Sequence, residues 1–151
     1  MKILMVCLGN ICRSPLAHGI MEKMANDQKL NWEIDSAGTS GWHNGGAPDP
    51  RSIEVAKKNN LDISRQVSRV LTKADLEYYD YIFAMDKNNL KDIQELAEHD
   101  QLNKIHLFLP FGEVEETEEV PDPYYTLGFD HVYDLINRAN KTILKKLMLA
   151  S

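Results

Sequence analysis

Residues 6–15 read Val-Cys-Leu-Gly-Asn-Ile-Cys-Arg-Ser-Pro and follow directly on an apolar run over residues 3–7. A short, continuously apolar run of this kind is typical of a strand buried on both faces of a sheet. Beyond the loop, apolar residues recur at i, i+4 and i+8 from Leu16 and predict a helix over residues 15–28. Ser14 is a good N-cap, and proline suits the helical position after it. We therefore predict a strand, a tight loop and a helix in direct succession.

The alternation of strand and helix continues along the rest of the chain. Short runs at 31–35, 81–85 and 104–108 predict further strands. Further helices are expected to begin at Pro50, after a capping Asp86, and at about Phe129. This order predicts one α/β domain over residues 1–151, in which a parallel sheet has helices on both faces. Such sheets carry their sites beyond the carboxyl ends of the strands, so the chemistry is expected in the loop after the first strand.

Composition excludes several other classes of protein. The chain has 151 residues, enough for one domain, and 23 acidic against 17 basic residues give a net charge of −6, which disfavours nucleic-acid binding. No apolar run is long enough to span a membrane. The two cysteines have no further cysteine or histidine cluster beside them, which argues against a disulfide scaffold or a metal site. We expect a cytoplasmic protein with reduced thiols.

The loop after the first strand has the features of an anion site. Gly9 and Asn10 both tolerate positive φ, so the backbone N–H groups of this turn can converge on one point at a helix N-terminus. Arg13 adds a planar fork that can bind two phosphate oxygens. The same positive field favours thiolate over thiol at Cys7, which would place a nucleophile against a bound phosphate. The loop has no Gly-Lys-Ser/Thr ending, so nucleotide hydrolysis of the Walker type is disfavoured.

Three separated blocks resemble the low-molecular-weight protein tyrosine phosphatases: residues 6–15, residues 35–43 (Asp-Ser-Ala-Gly-Thr-Ser-Gly-Trp-His) and residues 122–125 (Asp-Pro-Tyr-Tyr). The resemblance implies a Rossmann-like phosphotyrosine protein phosphatase I fold with a four-stranded parallel sheet in the order 2-1-3-4. It implies hydrolysis of phosphotyrosine and small aryl phosphates through a phosphocysteine on Cys7, without a metal or other cofactor. From its own sequence context Asp122 could be an ordinary turn residue, and the resemblance makes it the general acid and later the base.

The resemblance also assigns the remaining site residues. Cys7, Arg13 and Asp122 would be catalytic, and the phosphate would be held by the loop made of Leu8, Gly9, Asn10, Ile11, Cys12, Arg13 and Ser14. Asn10 would brace the turn, Ser14 would donate to Cys7, and Ser36 would hold Asn10. One departure is visible, because Gln66 stands where the family usually has a histidine, and glutamine can donate a hydrogen bond but cannot titrate.

Further expectations concern the substrate, the partners and the oxidation of Cys7. Ile11, Trp42 and Tyr124 would line a cleft whose depth suits phosphotyrosine and leaves phosphoserine short of the nucleophile. The expected partners are a phosphotyrosine protein or peptide as substrate and inorganic phosphate as product, with no nucleic acid and no membrane, and the chain is expected to be a monomer. After oxidation of Cys7, Cys12 could form a disulfide with it. We expect Tyr125 to have no role and the five histidines to be structural or on the surface.

Three rival functions remain. A protein arginine phosphatase would share the fold but tends to carry threonine where this chain has Ile11. An arsenate reductase would need further cysteines beyond the loop, and no cysteine follows Cys12. An inactive phosphate-binding module is disfavoured because Cys7 and Asp122 are both present.

Overall fold

The computed structural model describes residues 1–150, and within them one parallel sheet has the strand order β2-β1-β3-β4. Its strands are β1 (Lys2–Cys7), β2 (Glu33–Gly38), β3 (Tyr81–Ala84) and β4 (Ile105–Leu107). The helices are α1 (Arg13–Asp27), α2 (Pro50–Lys58), α3 (Lys73–Tyr78), α4 (Lys87–Leu96), α5 (Phe108–Phe111), α6 (Pro123–Thr126) and α7 (Phe129–Ala150), and a 3₁₀ helix over His99–Lys104 precedes β4.

The two faces of β1 explain the three layers. Ile3 and Met5 are fully buried on the face covered by α1, α2 and α7, whereas Leu4 and Val6 are fully buried on the face covered by α3 and α4. Since successive side chains of a strand point to opposite faces, a continuous apolar run requires cover on both sides. The α/β class, the helices on both faces and the order 2-1-3-4 are thereby confirmed. Within residues 1–150 no helix is both long and apolar enough to cross a membrane.

The second strand lies further along the chain than predicted. It was expected over residues 31–35, but β2 covers Glu33–Gly38 and brings Gly38 level with Cys7. Its last residues, 36–38, are small and do not form the continuous apolar run that predicts a buried strand. The loop after β1 passes close to Gly38, where a Cβ would lie 2.8 Å from the carbonyl oxygen of Leu8. The end of β2 therefore forms part of the floor beneath the predicted phosphate loop.

Helix α3 was not predicted, although its start carries a visible capping signal. The Thr72 side chain accepts a hydrogen bond from the backbone of Asp75, and the Asp75 carboxylate accepts one from the backbone of Thr72. This reciprocal arrangement is a capping box with aspartate in the place of the usual glutamate. Asp75 also binds the guanidinium of Arg69, through which α3 helps to fix the segment that contacts the phosphate loop.

The surroundings of His106 in β4 predict that the stability of the folded protein depends on pH. The ring of His106 packs against Phe111, Tyr81 and Phe83 at centroid distances of 4.8, 5.8 and 5.9 Å, and burial lowers its pKa below the ordinary 6.5. The unfolded chain then binds the proton more readily than the folded chain. The contribution of His106 to the stability is therefore fully present above about pH 6.5. It declines as the pH falls through that value towards the pKa of His106 in the folded state.

We expect His106→Phe to lose less stability than the wild type between about pH 7.5 and about pH 5.5, because phenylalanine keeps the ring packing and cannot be protonated. Urea unfolding at the two pH values measures the difference. His99→Gln is the matched control, since His99 is exposed. Equal pH dependence in His106→Phe and the wild type would contradict the assignment.

Candidate active site

The loop after β1 leaves its backbone N–H groups free. Within residues 1–150, the N–H groups of residues 8–12 donate to no backbone carbonyl. Asn10 has φ of 56°, the left-handed conformation that was predicted to be tolerated there. Gly9, which would also tolerate positive φ, does not adopt it. A Cβ at position 9 would lie 3.0 Å from Cδ2 of His43, a tight contact with an exposed side chain.

Helix α1 begins earlier than predicted. Ser14 was expected to cap it, but the helix starts at Arg13 with Cys12 at the N-cap position and no side-chain cap. The Ser14 hydroxyl lies instead 3.0 Å from Sγ of Cys7 and accepts a 2.7 Å hydrogen bond from Nδ2 of Asn10. Because Asn10 occupies an acceptor position of this hydroxyl, its proton is free to point at sulfur. Ser14 is thus available to stabilise negative charge on Cys7.

The loop is held by a neighbouring segment, although not by the residue that was expected. Ser36 was predicted to hold Asn10, but the Ser36 hydroxyl pairs with Nδ1 of His18 at 3.0 Å. Oδ1 of Asn10 accepts instead from the backbone N–H of Arg69 at 3.1 Å, and the Ser68 hydroxyl donates to the carbonyl of Gly9 at 3.0 Å. The correction has a simple cause: Ser36 lies within β2 on the α1 side of the sheet, whereas the 68–69 segment runs beside the loop.

Gln66 does contact the structure that follows the loop. Its Nε2 donates to the carbonyl of Pro15 in α1 at 3.0 Å. Its Oε1 is buried and lacks a hydrogen-bond partner among residues 1–150. Gln66 therefore supplies the predicted hydrogen bond, and it supports the first turn of α1 rather than the loop itself.

Arg13 is 2 % exposed and is surrounded by acceptors. Its Nη1 donates to Oδ2 of Asp86 at 2.7 Å and to the carbonyl of Val120 at 3.0 Å, and its Nη2 lies 3.5 Å from Oδ2 of Asp122. Burial alone disfavours the charge, but the interactions with Cys7, Asp86 and Asp122 outweigh it and raise the pKa of Arg13. Arg13 remains a cation, fixed in orientation beneath the loop.

Asp86 was predicted only as a helix cap, and it has a second contact that the sequence analysis missed. Its Oδ1 accepts the backbone N–H of Asn89 and caps α4, while its Oδ2 binds Arg13. Asp86 comes two residues after the end of β3, and β3 is the neighbour of β1 in the sheet. The rule that carboxyl ends of parallel strands meet at one edge could have identified it.

The predicted catalytic and cleft residues line one cavity of about 270 Å³. Its walls bring Cys7, Arg13 and Asp122 together with the predicted cleft residues Ile11, Trp42 and Tyr124; Leu8, Gly9, Cys12, His43 and Tyr125 complete the lining. Trp42 is 78 % and Tyr124 48 % exposed, so both rings are accessible from solvent. Two residues of this lining, His43 and Tyr125, were not predicted to belong to the cleft.

The two cysteines of the loop differ in their environment. Both are buried and free. Burial, followed by the interactions with Asp49 and Cys7, raises the pKa of Cys12 to about 12. Cys12 is therefore a thiol at neutral pH and a poor nucleophile, whereas Cys7 has the Ser14 hydroxyl and Arg13 beside it. The disulfide between Cys7 and Cys12 after oxidation stays a prediction.

A parallel sheet with a Cys-x5-Arg loop after β1, at the switch point between β1 and β3, defines the class of cysteine-dependent phosphatases. Comparison with known proteins supplies the family. The sequence model of the low molecular weight phosphotyrosine protein phosphatases matches residues 2–150, and the chain belongs to that family.

Relatives and solved structures agree with this membership. The chain is 38% identical over 152 residues to the low molecular weight phosphotyrosine protein phosphatase of Schizosaccharomyces pombe, covering 97% of this chain and 96% of that protein. The crystal structure of a protein tyrosine phosphatase from Entamoeba histolytica, with Hepes in its active site, superposes with a TM-score of 0.94 at 37% identity, covering 99% and 98% of the two chains. The structure of a Drosophila arginine phosphatase superposes with a TM-score of 0.91 at 32% identity, covering 97% and 98%.

Proposed function

We propose that this protein hydrolyses phosphotyrosine in proteins or peptides, and small aryl phosphates, through a phosphocysteine on Cys7. One observation carries the proposal: the unpaired N–H groups of residues 8–12 and the buried cation of Arg13 belong to the same loop as Cys7. Such a loop binds a dianion and at the same time favours a thiolate facing it. The residue roles below rest on this arrangement.

In the first step, Sγ of Cys7 attacks phosphorus as the bond between phosphorus and the phenolic oxygen breaks. Asp122 gives its proton to that oxygen, so that a neutral phenol leaves. The N–H groups of the loop and the guanidinium of Arg13 bind the equatorial oxygens throughout, where charge is spread in the transition state. The Ser14 hydroxyl, 3.0 Å from the sulfur, stabilises the thiolate before attack.

In the second step, water attacks the phosphocysteine. The Asp122 carboxylate formed in the first step takes a proton from that water, the sulfur–phosphorus bond breaks, and inorganic phosphate leaves with Cys7 again a thiolate. Oδ2 of Asp122 lies 3.5 Å from Nη2 of Arg13, which supports a position of the carboxyl group beside the phosphate that Arg13 would bind.

Phosphotyrosine is the substrate that the cavity walls favour. Trp42, Tyr124 and Ile11 present apolar surface above the loop, which suits a phenyl ring and gives a short phosphoserine side chain nothing to contact. Phosphoarginine is the alternative, since a Drosophila arginine phosphatase has the same fold. We favour tyrosine because Ile11, and not threonine, faces the cavity, and competition between matched phosphotyrosine and phosphoarginine peptides distinguishes the two.

Trapping of the intermediate tests the proposal directly. The enzyme is mixed with p-nitrophenyl phosphate, quenched in acid within the first turnover, and digested for mass spectrometry. We expect one phosphoryl group on the peptide that carries Cys7, and a burst of nitrophenol equal to the enzyme concentration. A phosphoryl group on another residue, or turnover without any phosphorylated enzyme, would refute the mechanism.

We further propose a monomer that acts in the cytoplasm. The cavity is built from residues of this one chain, which supports function without a partner subunit. Two buried, free cysteines five residues apart support a reducing compartment. The expected partners are a phosphorylated protein as substrate and inorganic phosphate as product.

A further inference from the structure

Arg51 lies outside the cavity and has no part in the mechanism above, yet its guanidinium is fixed in orientation. The Asp49 carboxylate accepts three hydrogen bonds from it: Oδ1 from the backbone N–H at 2.8 Å and from Nε at 3.0 Å, and Oδ2 from Nη2 at 2.9 Å. These hydrogen bonds lower the pKa of Asp49 even though its burial opposes ionisation. A two-pronged pair of this kind holds the plane of the guanidinium as well as its position.

Arg51 lies over two aromatic rings that follow Asp122 in the chain. Its central carbon lies 5.6 Å from the ring centroid of Tyr124 and 4.7 Å from that of Phe129, both within the range of cation–π contacts. Tyr124 lies in α6, two residues after Asp122, and its N–H donates to Oδ1 of Asp122 at 3.1 Å. Phe129 is the first residue of α7. The two rings thus bracket the segment that follows Asp122.

The first turn of α2 is joined to the phosphate loop. The N–H of Asp49 donates to the carbonyl of Ile11 at 2.8 Å, and the Ser52 hydroxyl donates to the carbonyl of Cys12 at 3.5 Å. The pair formed by Asp49 and Arg51 therefore links the loop that would bind phosphate to the segment that carries the predicted acid.

The acid segment has little packing of its own. Tyr124, Tyr125 and Leu127 are 48, 72 and 69 % exposed, and Leu127 has a positive φ of 61°. Segments with few buried contacts open at low cost in free energy, so an external contact has a large influence on their position. Among the aromatic side chains here, only Phe129 is buried, and Arg51 spans from it to Tyr124.

We propose that Arg51 is a positioning residue for the proton transfer. Held by Asp49, it keeps Tyr124 and the turn after Asp122 against the phosphate loop, so that the Asp122 carboxyl group stays within reach of the leaving oxygen. This inference rests on the proposed function, since it concerns the efficiency of the acid and not the existence of the phosphatase reaction.

The test uses a series of aryl phosphates in which the leaving phenol becomes progressively less acidic, from p-nitrophenyl phosphate to phenyl phosphate and phosphotyrosine. The ratio kcat/KM reports the steps up to release of the phenol. In Arg51→Gln, we expect a loss of about tenfold for phosphotyrosine and less than about twofold for p-nitrophenyl phosphate, because poor leaving groups depend most on the acid. Arg51→Lys keeps the charge but not the two-pronged pair, and should fall between Arg51→Gln and the wild type.

Lys58→Gln is the matched control. Lys58 binds Asp130 at 2.9 Å, and this exposed pair joins the same two helices, α2 and α7, away from the cavity. Its removal should not change the dependence on the leaving group. Equal losses for all substrates in Arg51→Gln, as after general loosening of these helices, would overturn the proposal. If Arg51→Gln does not fold, an unchanged leaving-group dependence in Arg51→Lys overturns it equally.

A double variant separates this inference from the proposed function. In the Asp122→Asn background there is no acid left to position, so Arg51→Gln should add no further dependence on the leaving group. An additional effect there would refute positioning through Asp122. If Asp122→Asn itself shows no dependence on the leaving group, the proposed role of Asp122 fails instead, and the positioning role fails with it.

Discussion

Replacement of Cys7 by serine should lower kcat/KM for phosphotyrosine peptides by at least about 10⁴-fold. Serine keeps the size of the side chain, but its hydroxyl is almost never ionised at neutral pH, and the loop has no general base placed to activate it. The unpaired N–H groups of residues 8–12 and the Arg13 cation remain, so binding of the phosphopeptide should persist. Steady-state kinetics and calorimetric titration of the inactive variant measure the two effects.

The matched control for this experiment is Cys12→Ser. It changes the other cysteine of the same loop, whose pKa of about 12 makes it a thiol that plays no part in attack. We expect a loss below about tenfold, caused by altered packing. A Cys7→Ser variant that kept a tenth of the wild-type activity, or a Cys12→Ser variant as inactive as Cys7→Ser, would contradict the assignment of the nucleophile.

Replacement of Asp122 by asparagine should lower kcat/KM for phosphotyrosine by about 10²–10³-fold, the usual contribution of general acid catalysis. The loss should shrink for p-nitrophenyl phosphate, whose phenolate leaves without a proton. Asparagine keeps the oxygen that accepts the N–H of Tyr124, so the turn into α6 retains its cap. The expected result is thus a change in proton transfer with little change in local structure.

Asp134→Asn serves as the control, because Asp134 is an exposed carboxylate of α7 that binds Arg138 on the surface. Its kinetics should equal those of the wild type for every substrate. Equal losses for good and poor leaving groups in Asp122→Asn would show that Asp122 acts by binding and not by proton transfer. Full activity of Asp122→Asn towards phosphotyrosine would remove it from the mechanism.

Local sequence predicted the first strand and the loop after it because both depend on near neighbours in the chain. The apolar run of β1 demands burial on both faces wherever it lies, and Asn10 takes positive φ through its own side-chain properties. The exceptions are instructive. The end of β2 was missed because its small residues carry no apolar run, and Leu8 approaches Gly38 from another part of the chain. Ser14 was predicted as a helix cap, but in the fold its hydroxyl lies beside Cys7 and Asn10.

The supporting contacts of the site could not be predicted in the same way. Arg69 and Ser68 are 59 residues from the loop residues that they bind, Asp86 is 73 residues from Arg13, and Asp49 and Arg51 meet the acid segment from another helix. Each of these side chains has an ordinary local reading, as a cap, a turn or a surface charge. Only its position in the folded chain distinguishes it from the many similar residues elsewhere.

The amino-acid sequence alone predicted the α/β class, most of the alternating strands and helices, and an anion-binding loop that carries Cys7 and Arg13, whereas the role of Asp122 came only from the resemblance to a known family. Those features follow from backbone preferences, burial patterns and side-chain chemistry, which act over a few residues, and from motifs that keep their spacing. The tertiary structure was needed to find what holds them in place: Asp86 on Arg13, the 68–69 segment on the loop, and Arg51 over Tyr124. The physical reason is that hydrogen bonds and ion pairs act over a few ångströms of space, whatever the separation along the chain.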